Sequence, residues 1–266
     1  VKYLLLVLLL WAPNAWGAER ILALSPHACE MLYAIGAARQ VVGAVSWCDY
    51  PQAAAKLPRV GSYEHINVEA ALRLKPDLAI VVNRHVSGID TLEKMGVRIV
   101  VSNPDSFESI FSDMLKLGQL TSHPHEAENI VTGLRARLDK VRAQPRSGTA
   151  VFYEVWSDPL LTAGGPGFIS DMIHQAGGRN VFANLAVETP HVNVEAVIRA
   201  RPELIVIPLE KRDISVRRAF WEKWLGKNSV RFVAINPDLL HRPGPRLLDG
   251  LELLQKALNG TTDGHR

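Results

Sequence analysis

The sequence predicts an α/β protein of two similar doubly wound lobes, each built on a parallel sheet, joined by one long helix and enclosing a ligand cleft between them. Three observations predict it. The first is an internal repeat: Asn67-Val68-Glu69-Ala70, followed by Arg73, Pro76 and Leu78, returns with unchanged spacing as Asn193-Val194-Glu195-Ala196, Arg199, Pro202 and Leu204. Val97 to Asp105 is echoed by Val230 to Asp238, each ending in Asn-Pro-Asp, and Met31 to Gly36 more loosely by Met172 to Gly177. A repeated word of this kind marks one structural unit used twice. The second observation is the alternation of short apolar runs with amphipathic segments in both halves, the pattern of parallel-sheet folds. The third is a long helical stretch from about Pro124 to Val141, with Ala127, Ile130, Val131, Leu134 and Leu138 on one face, placed between the halves.

The elements follow in order. Ile21 to Ser25 reads as a strand, with Pro26 at the start of a helix that runs through Met31, Leu32 and Ile35 to Gly36. Val41 to Ser46 is the next strand, and a short one is expected around Arg59 and Val60 between Pro58 and Gly61. Asn67 is an N-cap for a helix from Val68 to Leu74 that stops before Pro76. Leu78 to Val82 is a fully apolar strand, Ile89 to Met95 a helix closed by Gly96, Val97 to Ser102 a strand and Phe107 to Leu117 a helix. The second half gives strands at Ala150 to Val155, Leu204 to Pro208 and Val230 to Ile235. Its helices are Phe168 to Gln175, Val194 to Ala200, Ala219 to Leu225 and Pro245 to Leu258. The expected units are residues 1–18 as a signal peptide, 19–122 as the first lobe, 123–146 as the linker helix and 147–266 as the second lobe. A single helical linker is stiff, so large hinge motion is not expected.

At 266 residues and 47% hydrophobic, the chain can bury one large core or two modest ones, and two lobes of ordinary size fit. The net charge of +3 comes from 30 basic and 27 acidic residues without a basic run, which argues against nucleic acid. Lys2, the apolar run Leu4 to Trp11 and the small residues around Ala15 and Gly17 read as a secretory signal cut near Ala18. The run is too short to span a bilayer, so the expectation is an exported, periplasmic protein. Its two cysteines, Cys29 and Cys48, fall at the same edge of the first sheet. In an oxidising compartment they either pair or remain two buried thiols.

Ligands of open α/β sheets bind beyond the carboxyl ends of the strands. The candidates there are Ser25, Pro26, Trp47, Asp49, Tyr50 and Tyr63 in the first lobe, and Trp156, Leu161, Thr189, Asp238 and Arg242 in the second. Aromatic surface with few polar groups suits a large, partly apolar organic ligand. No G-x-S-x-G elbow, phosphate loop or H-E-x-x-H occurs, which argues against an enzyme. Five cleft histidines, His27, His65, His85, His191 and His241, lack a carboxylate set that would hold a metal, and no metal site is expected. The turn Gly164 to Gly167 is read either as an anion cradle or as a tight connection. Glu69 and Glu195 each meet the positive end of a helix dipole, and the repeat places one on each lobe as a matched acidic pair for a basic two-fold partner.

These words together resemble the helical-linker substrate-binding proteins of ABC importers, a family that includes receptors for vitamin B12, haem and iron-siderophores. They are Ser25-Pro26, Asp49-Tyr50-Pro51, Asn67-Val68-Glu69 leading to Lys75-Pro76-Asp77-Leu78, Ala176-Gly177-Gly178 with Asn180-Val181-Phe182, Asn193-Val194-Glu195 leading to Arg201-Pro202-Glu203-Leu204, and Arg242-Pro243-Gly244-Pro245-Arg246. The resemblance covers the whole mature chain and is nearest to the family's corrinoid receptors. It implies cobalamin as the ligand, with haem or a ferric siderophore as the alternative, and a monomeric receptor that docks on an inner-membrane permease dimer through Glu69 and Glu195. By position it implies that Tyr50 stacks on the ligand, that Tyr63 packs where those receptors carry a tryptophan, and that Asp238 and Arg242 are polar groups of the second lobe's rim. Val82 and Thr189 stand where those receptors have tryptophans, and Trp47 and Trp156 are the expected replacement surface. The second-lobe cysteine pair of those receptors is absent, so any disulfide joins Cys29 to Cys48.

Overall fold

The computed structural model describes residues 17–62, 64–209 and 214–260. The predicted leader up to residue 16 and Tyr63 lie outside the described residues. In the first lobe, strands β1 (Ile21–Ala23), β2 (Val41–Ala44), β3 (Leu78–Val81) and β4 (Arg98–Val101) form a parallel sheet in the order β2-β1-β3-β4. In the second, β5 (Ala150–Ser157) lies between β7 (Arg179–Asn180) and β8 (Leu204–Pro208), and β8 pairs β9 (Arg231–Ile235), all parallel. The spatial order β7-β5-β8-β9 reproduces that of the first lobe, so the sequence repeat is a repeat of topology. One addition breaks the match: the outer half of β5 turns back antiparallel to β6 (Leu160–Thr162).

The described residues contain nine α-helices: α1 (Pro26–Ala34), α2 (Val68–Arg73), α3 (Ile89–Lys94), α4 (Phe107–Leu120), α5 (Pro124–Arg142), α6 (Phe168–Gln175), α7 (Val194–Ala200), α8 (Ser215–Leu225) and α9 (Leu247–Leu258). The repeat holds down to single dihedrals. The side chains of Asn67 and Asn193 cap α2 and α7 by accepting the amides of Ala70 and Ala196, at 2.9 and 2.8 Å. Each helix is followed by a left-handed residue before a proline, Lys75 at φ 47° and Arg201 at φ 46°. A non-glycine residue there costs about 1 kcal/mol, and both lobes carry it at the same point.

The inner strands are buried, as β3 is along its whole length, because parallel sheets are covered on both faces. A continuous apolar core runs from the first sheet through Phe111 and Met114 of α4 and Val131 and Leu138 of α5 to Leu251 and Leu254 of α9. The linker helix α5 therefore packs on both lobes. Ion pairs follow the same path: Arg135 reaches Glu108 of α4 at 3.2 Å, and Arg137 reaches Asp249 and Glu252 of α9 at 2.6 and 2.8 Å. On the outer side of the second sheet, Phe152, Ile205 and Trp221 head a separate cluster. There the buried Glu154 accepts from Arg217 at 2.7 and 2.8 Å and from the Trp221 indole at 2.5 Å.

Three expectations are corrected. The strand around Arg59 and Val60 consists of isolated bridges, Arg59 to Ala44 and Gly61 to Ile66, because Pro58 and Gly61 leave no length for a ladder. Leu161, expected beyond the end of a strand, lies within strand β6, which is too short to show a period. Helix α8 begins at Ser215 because Arg217 and Arg218, which hide its apolar pattern, fold onto the Phe220 and Phe232 rings.

Cys29 of α1 and Cys48 after β2 are joined by a disulfide, with Cα atoms 5.9 Å apart and a sequence separation of 19. Closing a loop of that size stabilises the folded chain by about 3 kcal/mol. The double substitution Cys29→Ser and Cys48→Ser should lower the free energy of unfolding by that amount, read as a lower urea midpoint.

Candidate functional site

The loops that follow β1, β2 and β4 in the first lobe meet the loop that follows β9 in the second, and charge is concentrated where they meet. Glu30 lies on α1 with its side chain 1% exposed. Its carboxylate is gripped by both arms of Arg246, which precedes α9, at 2.9 and 2.5 Å. Arg242 bonds Asp49 of the first lobe at 2.6 Å and Asp238 of its own lobe at 2.8 Å, and stands 3.6 Å from Glu30. The guanidinium of Arg246 also lies over the Tyr50 ring, 3.7 Å from its centroid. Two arginines of one lobe thus hold three side chains of the other.

Burial sets the cost of this clasp. It pushes the Glu30 carboxyl upward, against the hydrogen bonds and charge of Arg246 and the charge of Arg242. Burial also works against charge on both arginines, but their carboxylates more than offset it and hold them above their ordinary range. Asp49, raised by partial burial but bonded to Arg242, stays below the usual carboxylate range. A buried pair of this kind adds little net stability, yet removing one partner costs about 3–5 kcal/mol. It fixes geometry rather than supplying energy.

Three aromatic side chains of the loops beyond the strands are exposed, and one of them, Tyr50, touches the clasp. Trp47 is 67% exposed, Trp156 61% and Tyr50 45%. Trp47 is held at φ 69°, a left-handed conformation rarely tolerated by a bulky residue, and strain at an exposed side chain is characteristic of binding loops. The Trp156 indole donates to the carbonyl of Asp158 at 2.8 Å, which orients the ring. Pro26 opens α1 and lines a cavity of about 320 Å³ between the lobes, with His27, Asp105, Phe168, Glu188 and His241. Leu161 is half-buried and bridges His191 through its backbone, and Thr189 is exposed in the loop before it.

Ser25 does not belong to the cleft surface. It is fully buried, and its hydroxyl caps α1 by accepting the Ala28 amide at 3.3 Å. Asp238 and Arg242 are ion-paired to each other, not free at the rim. The Gly164 to Gly167 turn is a tight connection: the Gly164 and Gly165 amides donate to the carbonyls of Glu188 and Leu185, at 2.9 and 2.8 Å. Glu30 and Arg246 escape a sequence reading that looks only at strand ends. The available signal was one carboxylate inside the otherwise apolar stretch of Ala28 to Leu32. Glu69 and Glu195 are both exposed in the first turns of α2 and α7, with Glu69 also bonded to Arg73 at 3.0 Å.

Among the described residues no group of three or more His, Cys, Asp or Glu could hold a metal ion. Two cleft histidines have other work: the buried His27 donates through Nε2 to the Ser102 carbonyl at 2.9 Å, and the half-buried His241 shares through Nε2 a hydrogen bond of 2.8 Å with the Tyr153 hydroxyl.

A family model described as periplasmic binding protein matches residues 21–216. A Yersinia pestis (strain Pestoides F) protein named vitamin B12-binding protein is 34% identical over 251 residues, covering 92% of this chain and 87% of that one. The structure of the periplasmic vitamin B12 binding protein BtuF of Vibrio cholerae matches with a TM-score of 0.79 at 29% identity, covering 94% of this chain and 100% of that chain. A periplasmic heme binding protein from Pseudomonas aeruginosa matches with a TM-score of 0.75 at 26% identity, covering 94% and 95%.

Desolvation lowers the pKa of both His27 and His241 below the ordinary 6.5. The unfolded chain therefore binds more protons than the folded one once pH drops through 6.5. Their contribution is complete above that pH and is lost toward their folded values, by at most about 1.4 kcal/mol per pH unit for each. Thermal melts between pH 8 and 5 should show the melting temperature falling below 6.5, with a shallower fall in His27→Gln and His241→Gln.

Proposed function

Because the chain belongs to the periplasmic binding protein family, we propose that it is a periplasmic receptor that captures cobalamin or a related corrinoid and delivers it to an inner-membrane ABC importer. It performs no chemistry on its cargo. The observation that carries the choice of ligand is the combination of open aromatic faces, Trp47, Tyr50 and Trp156, with arginines already neutralised by Glu30, Asp49 and Asp238. A corrin ring is broad and partly apolar, and its periphery carries neutral amides, so it is served by stacking surface and does not need free cations. A ferric siderophore or the propionates of haem would draw on unpaired basic side chains. The relatives named for vitamin B12 support the same choice.

Delivery follows from the repeat. Glu69 and Glu195 occupy equivalent first turns on the two lobes, which suits a two-fold permease presenting one basic site to each. Haem binding, named for relatives of the same fold, is the competing reading, with Tyr50 as the phenol available for iron ligation.

Titration calorimetry with cyanocobalamin, and with haemin beside it, separates the two. The expected result is tight one-to-one binding of the corrinoid alone; silence with cobalamin and a Soret shift with haemin would transfer the proposal to haem. Trp47→Ala and Trp156→Ala should each weaken corrinoid binding about tenfold, and unchanged affinity in both would remove the tryptophans from the site. Reversing Glu69 and Glu195 together to Lys should abolish uptake in cells while leaving affinity intact. Lost affinity would reduce them to helix-end residues.

A further inference from the structure

We propose that Arg246 is a positioning residue for Tyr50, so that the first lobe's stacking platform is complete only while the second lobe is docked against it. The ligand in this proposal rests on the corrinoid reading above; the positioning itself rests on geometry. Tyr50 projects from the loop after β2 and is 45% exposed, so its own lobe does not bury it. One face of its ring is covered by the Arg246 guanidinium at 3.7 Å, well inside the range of cation–π contact. That guanidinium cannot turn, because both arms are bonded to Glu30, and a two-point fork fixes a plane as well as a position. A fixed plane on one side of the phenol fixes the ring, and the opposite face is left for a flat ligand.

The loop itself is held from the same side. Asp49, the neighbour of Tyr50, is bonded to Arg242 at 2.6 Å, and Cys48 is tied to Cys29, the neighbour of Glu30. The groups that bond or stack on Arg246 among the described residues, Glu30 and Tyr50, belong to the first lobe, while Asp238 of its own lobe bonds Arg242. Lysine in place of Arg246 would keep the charge and lose the plane, so charge and positioning can be separated.

The experiment has two arms on the full-length protein. In the ligand-free state, amide hydrogen exchange in residues 47–53 should rise about tenfold in Arg246→Met and Arg246→Lys, with the second sheet unchanged. In cyanocobalamin titrations, Arg246→Met and Arg246→Lys should each weaken binding about tenfold, and Arg246→Met should have almost no effect in a Tyr50→Ala background, the mark of two residues acting as one. Because Arg246→Met leaves a buried carboxylate without its partner, the pair Glu30→Gln with Arg246→Met is measured in parallel and should show the same losses. Unchanged exchange in the loop, or an equal loss of affinity in the Tyr50→Ala background, would overturn the proposal. If the wild-type protein does not bind cyanocobalamin, the corrinoid reading fails and the exchange arm alone decides whether Arg246 positions Tyr50.

Discussion

Glu30 sits in the apolar stretch of α1 with almost no contact with water, and a carboxylate there must meet a cation or give up its charge. Among the described residues no cation of its own lobe bonds it; Arg246 and, more distantly, Arg242 reach it from the second lobe. The relative placement of the two lobes is therefore tied to one desolvated charge as well as to the packing of α5. Once Arg246 and Arg242 are drawn in, their remaining contacts take up Asp49, Asp238 and one face of Tyr50. The same ionic contact that joins the lobes shapes the surface exposed between them.

Duplication supplied the frame, and divergence of equivalent loops supplied the site. The two Asn-Pro-Asp turns show how. In the first lobe Asp105 accepts from the Ser109 hydroxyl at 3.1 Å and belongs to the start of α4. In the second, Asp238 lies in the turn whose amide is taken by Asn236 at 2.9 Å, and its carboxylate meets Arg242. One word of sequence ends a strand in both lobes but binds the first turn of a helix in one and carries part of the interlobe clasp in the other. The hairpin of β5 and β6 is a second asymmetry, and it carries the exposed Trp156.

The frame was legible because it rests on local signals. Asparagine caps, prolines after helices and apolar runs of strand length act over a few residues, and each was placed within a few positions of its observed bounds. Strands β6 and β7 were not legible, since two or three residues carry no period. The site was legible only as a set of loops. Trp47, Tyr50, Trp156 and Arg242 stand out by residue type, but Glu30 and Arg246 owe their importance to a meeting across 216 positions of chain. Ser25 illustrates the converse: a hydroxyl at a strand end has the right address for a ligand contact, yet the first turn of α1 claims it before any ligand can.

The disulfide gives the clasp a history. Cys29 adjoins Glu30 and Cys48 adjoins Asp49, so a single covalent bond sets the spacing of the two acidic groups that the arginines of the other lobe grip. Such bonds form where thiols are oxidised and not where they are kept reduced. A newly made chain still in a reducing compartment would have the same residues but a slacker loop beneath Asp49 and Tyr50. The clasp is therefore built on a covalent frame that only an oxidising compartment completes.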